Sequence, residues 1–275
     1  MPRRLFPGLA LLAIAACSSP EDVAEKTGVT AYATATASAD KKPTATASRK
    51  DFAFAKTLTE PRGGEMEFAY AWPAAAAAEP KLAALLQSKL DKDFAETKAG
   101  WEGSYAECPE EAASCRNYSL DAKYEVVADL PGYLSLSNLF SVYTGGAHGS
   151  YGLESLVWDR EAQTALNGID LFRSPAALGS AIGPALCNAL NAERVTKGME
   201  PIENDGTFEA CPALDQATVL VGSANRKTFD RITVWYGPYV AGSYAEGAYE
   251  LDFPMTAKML EAVKPAYRAA FSAGR

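Results

Sequence analysis

Met66-Glu67-Phe68-Ala69-Tyr70-Ala71-Trp72 alternates large apolar residues with small or charged ones, and Lys81-Leu82-Ala83-Ala84-Leu85-Leu86-Gln87-Ser88-Lys89-Leu90 then changes period. A period of two lines one face of a strand, whereas leucines three and four apart line one stripe of a helix. The stretch therefore predicts a half-buried strand followed by a long amphipathic helix that runs to about Lys98, before Gly100. Just upstream, Phe52-Ala53-Phe54-Ala55-Lys56-Thr57-Leu58 alternates in the same way, and Pro61-Arg62-Gly63-Gly64 separates the two runs. Two alternating runs joined by a Gly-rich turn predict paired strands.

Working outward, strands are expected over residues 118–128, 133–143 and 151–158. Asp129-Leu130-Pro131-Gly132 and Gly145-Gly146-Ala147-His148-Gly149 supply the turns between them. A turn at 165–172 leads to a helix cap near Ser174-Pro175, and a helical region extends to about Lys197 with an interruption near Gly183-Pro184. Strands recur at 217–221, 231–236 and 248–253, and residues 256–271 read as a closing helix. Strands and helices fall into groups instead of alternating strictly, which places the chain in the α+β class. The expected architecture is two interlocked α+β subdomains, 51–130 and 131–275, with antiparallel sheets and packed helices. No period of twenty to fifty residues is visible, which argues against a solenoid.

The N-terminus carries an address. Arg3-Arg4 precede an apolar run from Leu5 to Ala16, and Ile14-Ala15-Ala16-Cys17 follows the pattern of a lipoprotein signal. The run is shorter than the roughly 20 residues a membrane-spanning helix needs. Residues 1–16 are thus expected to be a signal peptide, with Cys17 the lipidated first residue of the mature chain. Residues 17–50, rich in Ala, Thr and Ser, read as a flexible tether, because such a segment buries too little apolar surface to offset its ordering entropy.

Composition narrows the partners. The chain carries a formal charge of −8, and loss of Arg3 and Arg4 leaves 24 basic against 34 acidic residues, a mature charge of −10. Such a protein repels nucleic acid and anionic headgroups, and it attracts cationic proteins. Apart from Cys17 there are four cysteines, Cys108, Cys115, Cys187 and Cys211, an even number suited to an oxidising compartment. The sequence-local pairing is Cys108–Cys115 with Cys187–Cys211, although four cysteines allow three connectivities. A zinc site is disfavoured, since no CxxC spacing occurs and His148 is the only histidine.

Catalytic signatures are weak. A Ser–His–acid hydrolase of the α/β type would need a nucleophile elbow, and no GxSxG occurs. With 34 acids, no carboxylate pair stands out for glycosidase chemistry. The segment Trp235-Tyr236-Gly237-Pro238-Tyr239-Val240-Ala241-Gly242-Ser243-Tyr244-Ala245-Glu246-Gly247-Ala248-Tyr249 has the Tyr/Gly/Ser composition of binding loops. Its rings can stack on sugar faces or anchor a protein partner; the competing reading is a strand–turn–strand with tyrosines in the core.

Tyr143-Thr144-Gly145-Gly146-Ala147-His148, Asn167-Gly168-Ile169-Asp170-Leu171-Phe172 and Tyr236-Gly237-Pro238-Tyr239 through Tyr244-Ala245-Glu246-Gly247 occur in that order. Together they resemble a bacterial envelope domain family whose relatives include the lysozyme-sensing, RsiV-like anti-sigma factors and a non-catalytic domain attached to a peptidoglycan deacetylase. Phe68 to Leu90 resembles the domain that usually precedes it, so the resemblance spans Phe52 to Phe271. It implies a two-part ectodomain that binds and does no chemistry. In the anti-sigma relatives the ligand is lysozyme; this sequence shows neither their membrane helix and sigma-binding segment nor a deacetylase catalytic domain, so only binding carries over.

The resulting expectation is a non-catalytic, lipid-anchored module of the cell envelope, at the outer membrane because Ser18, not Asp, follows Cys17. It would need no cofactor or metal and would bind a cationic muramidase or the peptidoglycan glycan. Tyr143, His148, Tyr236, Tyr239 and Tyr244 are the expected ligand-lining residues, with Gly145, Gly146 and Gly149 shaping the loop. A cell-wall hydrolase or deacetylase-like enzyme and an outer-membrane assembly lipoprotein are the alternatives.

Overall fold

The alternating runs of the first half build one six-stranded sheet in the computed structural model, which describes residues 50–202 and 211–274. The signal peptide at 1–16, Cys17 and all of the tether but Lys50 lie outside those residues. The strands are β1 (Phe52–Glu60), β2 (Gly64–Trp72), β3 (Asn117–Asp129), β4 (Tyr133–Tyr143), β5 (Ser150–Asp159) and β6 (Thr164–Leu166), paired in that order. The short helix α1 (Ala74–Ala77) and the long helix α2 (Pro80–Glu107) lie between β2 and β3. All pairs are antiparallel except β2–β3, which is parallel. The sheets are thus antiparallel as expected but for this one pair, where a helix of 28 residues returns the chain to the end where β2 began and the next strand runs the same way.

Helix α2 also continues past Gly100, where the sequence reading stops it. Trp101 is buried and its indole N–H donates to the Arg116 carbonyl at 2.8 Å, while the Ser104 hydroxyl donates to the Cys115 carbonyl at 2.8 Å. Burial of a tryptophan outweighs the roughly 1 kcal/mol that each interior glycine costs a helix. Met66, Phe68, Tyr70 and Trp72 of β2, with Leu134, Leu136, Leu156 and Trp158 of β4 and β5, form the core against this helix.

The second half supplies α3 (Pro175–Ile182), α4 (Ala185–Thr196) and a three-stranded antiparallel sheet, β7 (Thr218–Gly222), β8 (Arg231–Tyr236) and β9 (Tyr249–Pro254), followed by α5 (Ala257–Ala262). Ser174 caps α3 by accepting from the Ala177 amide, and Pro184 ends the run as read. The closing helix is shorter than expected. Pro265 lacks an N–H and holds Lys264 extended at ψ 142°, so residues 265–270 form a separate 3-10 turn.

The halves share a core, since Ala128 and Val157 of the large sheet and Leu130 of its β3–β4 turn pack with Val219, Ile232 and Val234 of the small one. The Thr218 hydroxyl donates to the Leu153 carbonyl at 2.7 Å, and the Gly168 amide donates to Ser155 Oγ at 3.0 Å. A Cβ at Gly168 would run into the Val219 carbonyl, which explains a glycine there. The division expected at 130/131 falls in the β3–β4 hairpin, inside one sheet; the sheets themselves change over between β6 and β7. Among the described residues Cys108–Cys115 and Cys187–Cys211 form disulfides, which indicate an extracytoplasmic compartment. Among the described residues no helix is long and apolar enough to cross a membrane.

Candidate functional site

The β8–β9 connection, residues 237–248, is held from beneath by one carboxylate. Ser243 and Glu246 form a capping box around a 3-10 turn, with the Ser243 amide donating to Glu246 Oε1 at 2.9 Å. Glu246 Oε2 accepts from the Tyr249 hydroxyl at 2.6 Å and from Arg194 Nη1 at 2.9 Å. Arg194, in the last turn of α4, also donates to the Ala241 carbonyl. Lys197 donates to the Ala248 carbonyl at 2.5 Å and lies 4.1 Å over the Tyr249 ring. Burial alone would raise the Glu246 pKa, but hydrogen bonds from Tyr249 and Ser243 and the Arg194 charge hold it below the usual carboxylate range. Tyr249 is pushed up to about 12 by its own burial and by Glu246.

On this base sits a run of rings. Tyr244 stacks on His148 at 4.2 Å with 26° between planes, and its hydroxyl donates to the Gly149 carbonyl at 2.9 Å. Tyr239 lies 5.6 Å from Tyr244, and Tyr151 lies 6.3 Å from Tyr244 and 6.5 Å from Trp235. The Ala248 amide donates to the Tyr151 hydroxyl at 3.0 Å. Burial raises the Tyr151 pKa, partly offset by that bond. Tyr239 is 67% exposed and adopts φ +69°, a left-handed conformation uncommon for a bulky residue. The shelf is therefore a braced, outward-facing aromatic surface on a rigid scaffold.

The β4–β5 loop completes it. Gly145 and Gly146 take φ +88° and +95°, and Gly145 lies against Ser114 and Cys115 of the first disulfide loop. A Cβ at Gly149 would approach the Val142 carbonyl to 2.9 Å. The Tyr143 hydroxyl donates to the Gly146 carbonyl at 2.9 Å, so this ring secures its own loop; no ring contact joins it to the shelf among the described residues. His148 is exposed, with Nδ1 2.8 Å from the Gly149 carbonyl.

Of the residues expected to line a ligand surface, the structure thus brings His148, Tyr239 and Tyr244 together. Tyr236 is a correction: it is 0% exposed, packs in the core with Ile232 and Val234, and donates from its hydroxyl to the Pro212 carbonyl at 2.8 Å. Burial and Asp215 push it up to about 12. Tyr236→Phe should lower stability by about 1 kcal/mol, measured by chemical denaturation, and leave ligand capture unchanged. Trp235 and Tyr151 were missed. The alternation Ile232/Val234/Tyr236 inward already puts Trp235 on the other face, but nothing in the sequence pairs it with Tyr151.

Residues 63–151 match the family model described as deacetylase PdaC. No curated protein matches the chain significantly. Among solved structures, a DUF3298 family member from Bacteroides fragilis is 18% identical with a TM-score of 0.50, covering 80% of this chain and 95% of its own. A DUF3298 family protein from Pseudomonas aeruginosa is also 18% identical, with a TM-score of 0.48 over 82% of this chain and 97% of its own. The chain accordingly carries a PdaC-type segment from β2 to the start of β5 within a fold like that of the Bacteroides DUF3298 protein, in keeping with the resemblance read from its motifs.

Proposed function

We propose that this protein is a non-catalytic binding module of the cell envelope, tethered by lipid at Cys17, whose aromatic shelf captures a cationic muramidase. One observation carries the reading: Tyr239 is exposed in a strained conformation beside Tyr244, which stacks on His148 within a loop braced by the Glu246–Arg194 pair. Rigid tyrosines are the residues on which protein interfaces concentrate their affinity, because little side-chain entropy is lost on binding. The mature charge of −10 steers a basic partner towards such a surface.

A second reading, peptidoglycan glycan as the ligand, is favoured by the exposed Tyr239 ring, 5.6 Å from Tyr244, against which a sugar face can lie. Calorimetric titration of the mature protein with a c-type lysozyme at physiological salt, beside a pull-down on purified peptidoglycan, separates them. Near-stoichiometric heat that survives physiological salt supports the muramidase. Heat that vanishes with salt reports charge attraction only, and retention on peptidoglycan would then favour the glycan.

A further inference from the structure

One face of the large sheet has no second layer over much of its area. Met66, Phe68, Tyr70 and Trp72 point from β2 into the core beneath α2, so Glu65, Glu67, Ala69 and Ala71 point to the opposite side. Register carries that side across the neighbouring strands. Ala55, Ala69, Asp121 and Ser141 form one row, and Ala53, Ala71, Lys123 and Leu139 form the next. The small sheet closes only the end near Ala128 and Val157. Towards β1 the face is open: Ala53, Thr57, Glu67, Asp121 and Ser141 are exposed, and Leu139 is 49% exposed. Its residues are mostly small, so an extended chain can lie flat on it.

The charge on this face is acidic. Lys123 is shared, with Nζ 2.6 Å from Glu125 and its charge acting on Asp121 as well. Burial still leaves the Asp121 carboxyl above its usual range, although Lys123 opposes this. Glu65 and Glu67 have no ion pair among the described residues. A complementary segment of the same chain ends here. Lys41-Lys42-Pro43-Thr44-Ala45-Thr46-Ala47-Ser48-Arg49-Lys50 holds four cations and no acid, and it runs into β1 at Phe52. Residues 41–49 lie outside the described residues. A basic stretch serving anionic headgroups would sit beside the lipid expected at Cys17, where the chain instead has Glu21, Asp22 and Glu25 against Lys26. A second copy of the acidic domain would be repelled from this face. Ten extended residues span about 33 Å and β3 lies about 10 Å from β1, so the segment reaches both Glu67 and Asp121.

We propose that residues 41–50 dock in cis on this open sheet face as a displaceable strap, with their cations against Glu65, Glu67 and Asp121. The Thr and Ala residues between the cations lie over Ala55 and Ala69. Docking takes up about 30 Å of the tether's reach until salt or a competing polycation releases it. Exposed ion pairs are individually weak, but attachment at residue 51 keeps the segment at an effective concentration on the order of millimolar. The strap is independent of the shelf and of whatever the shelf binds.

The test uses the oxidised mature chain with Cys17→Ser and a nitroxide attached through Ala45→Cys. At about 20 mM salt the amide NMR signals of Ala69, Asp121 and Ser141 should lose at least about half their intensity, and at about 500 mM they should recover most of it. Glu67→Lys with Asp121→Lys should give the high-salt intensities at low salt; both positions are exposed. Lys41→Gln with Lys42→Gln and Arg49→Gln should do the same, and these substitutions lie outside the sheet, so they decide the matter if the first variant does not fold. The proposal is overturned if attenuation is equal at both salts or survives the tether substitutions. It is overturned too if attenuation arises when the nitroxide and the isotope label are on different copies, which would place the docking between molecules.

Discussion

Replacing Glu246 by alanine should cost about 3 kcal/mol of stability, a fall in Tm on the order of 10 °C. The carboxylate joins the end of α4 to the β8–β9 loop, and its side chain and that of Arg194 are only 12% and 14% exposed. Removing it leaves the Arg194 charge buried without its partner and orphans the Tyr249 hydroxyl and the Ser243 amide. The pH dependence follows with a definite sign. The folded carboxyl titrates below its unfolded value of about 4.3, so its contribution is fully present above that pH and is lost as pH falls through the lower, folded value. Glu246→Ala should therefore lose the most stability relative to the parent near neutrality and converge with it in acid. Thermal melts at pH 7 and pH 3 check both points; a loss below about 1 kcal/mol at pH 7 would mean that the loop is held by its rings alone.

The second large effect is expected at the Cys187–Cys211 disulfide. It closes a separation of 24 residues and ties α4 to the segment before β7, where the next residue, Pro212, accepts the Tyr236 hydroxyl. Cys187→Ser with Cys211→Ser should cost about 3 kcal/mol, since the unfolded chain regains the freedom that the cross-link removes. The Cys108–Cys115 link spans a separation of only 7 and should cost less on the same reasoning. Urea denaturation of the two double variants orders them; an equal or inverted ordering would show that local packing, not loop closure, sets the value of each link.

Much of the fold is legible because β2, β8 and β9 bury every second residue, as their sequence alternation predicts. Arg231–Tyr236 begins and ends where its alternation begins and ends. The helix that passes Gly100 is not legible, because Trp101 gains its partner from Arg116, beyond the helix itself. The parallel β2–β3 pair depends on helix length, so the same misreading hid it. The break before Pro265 could have been read from proline chemistry, which makes Lys264 extended whatever follows. The candidate site divides in the same way. His148, Tyr239 and Tyr244 stand out as rings among glycines, whereas Tyr236 looks identical in composition and differs only in strand parity. Tyr151 and Trp235 meet across two sheets, a contact no local pattern encodes.

The central claim is that the shelf is a binding surface and not a decorated loop, and Tyr239→Ala tests it most directly. At 67% exposure, the ring contributes little to folding, and its removal relieves a left-handed tyrosine of no local bond. The measurement is calorimetric titration of the parent and of Tyr239→Ala with c-type lysozyme at physiological salt, with peptidoglycan capture in parallel. The account predicts at least about a tenfold loss of affinity for the captured ligand with Tm within about 2 °C of the parent. Unchanged affinity, or a loss that appears only together with a large fall in Tm, would contradict it.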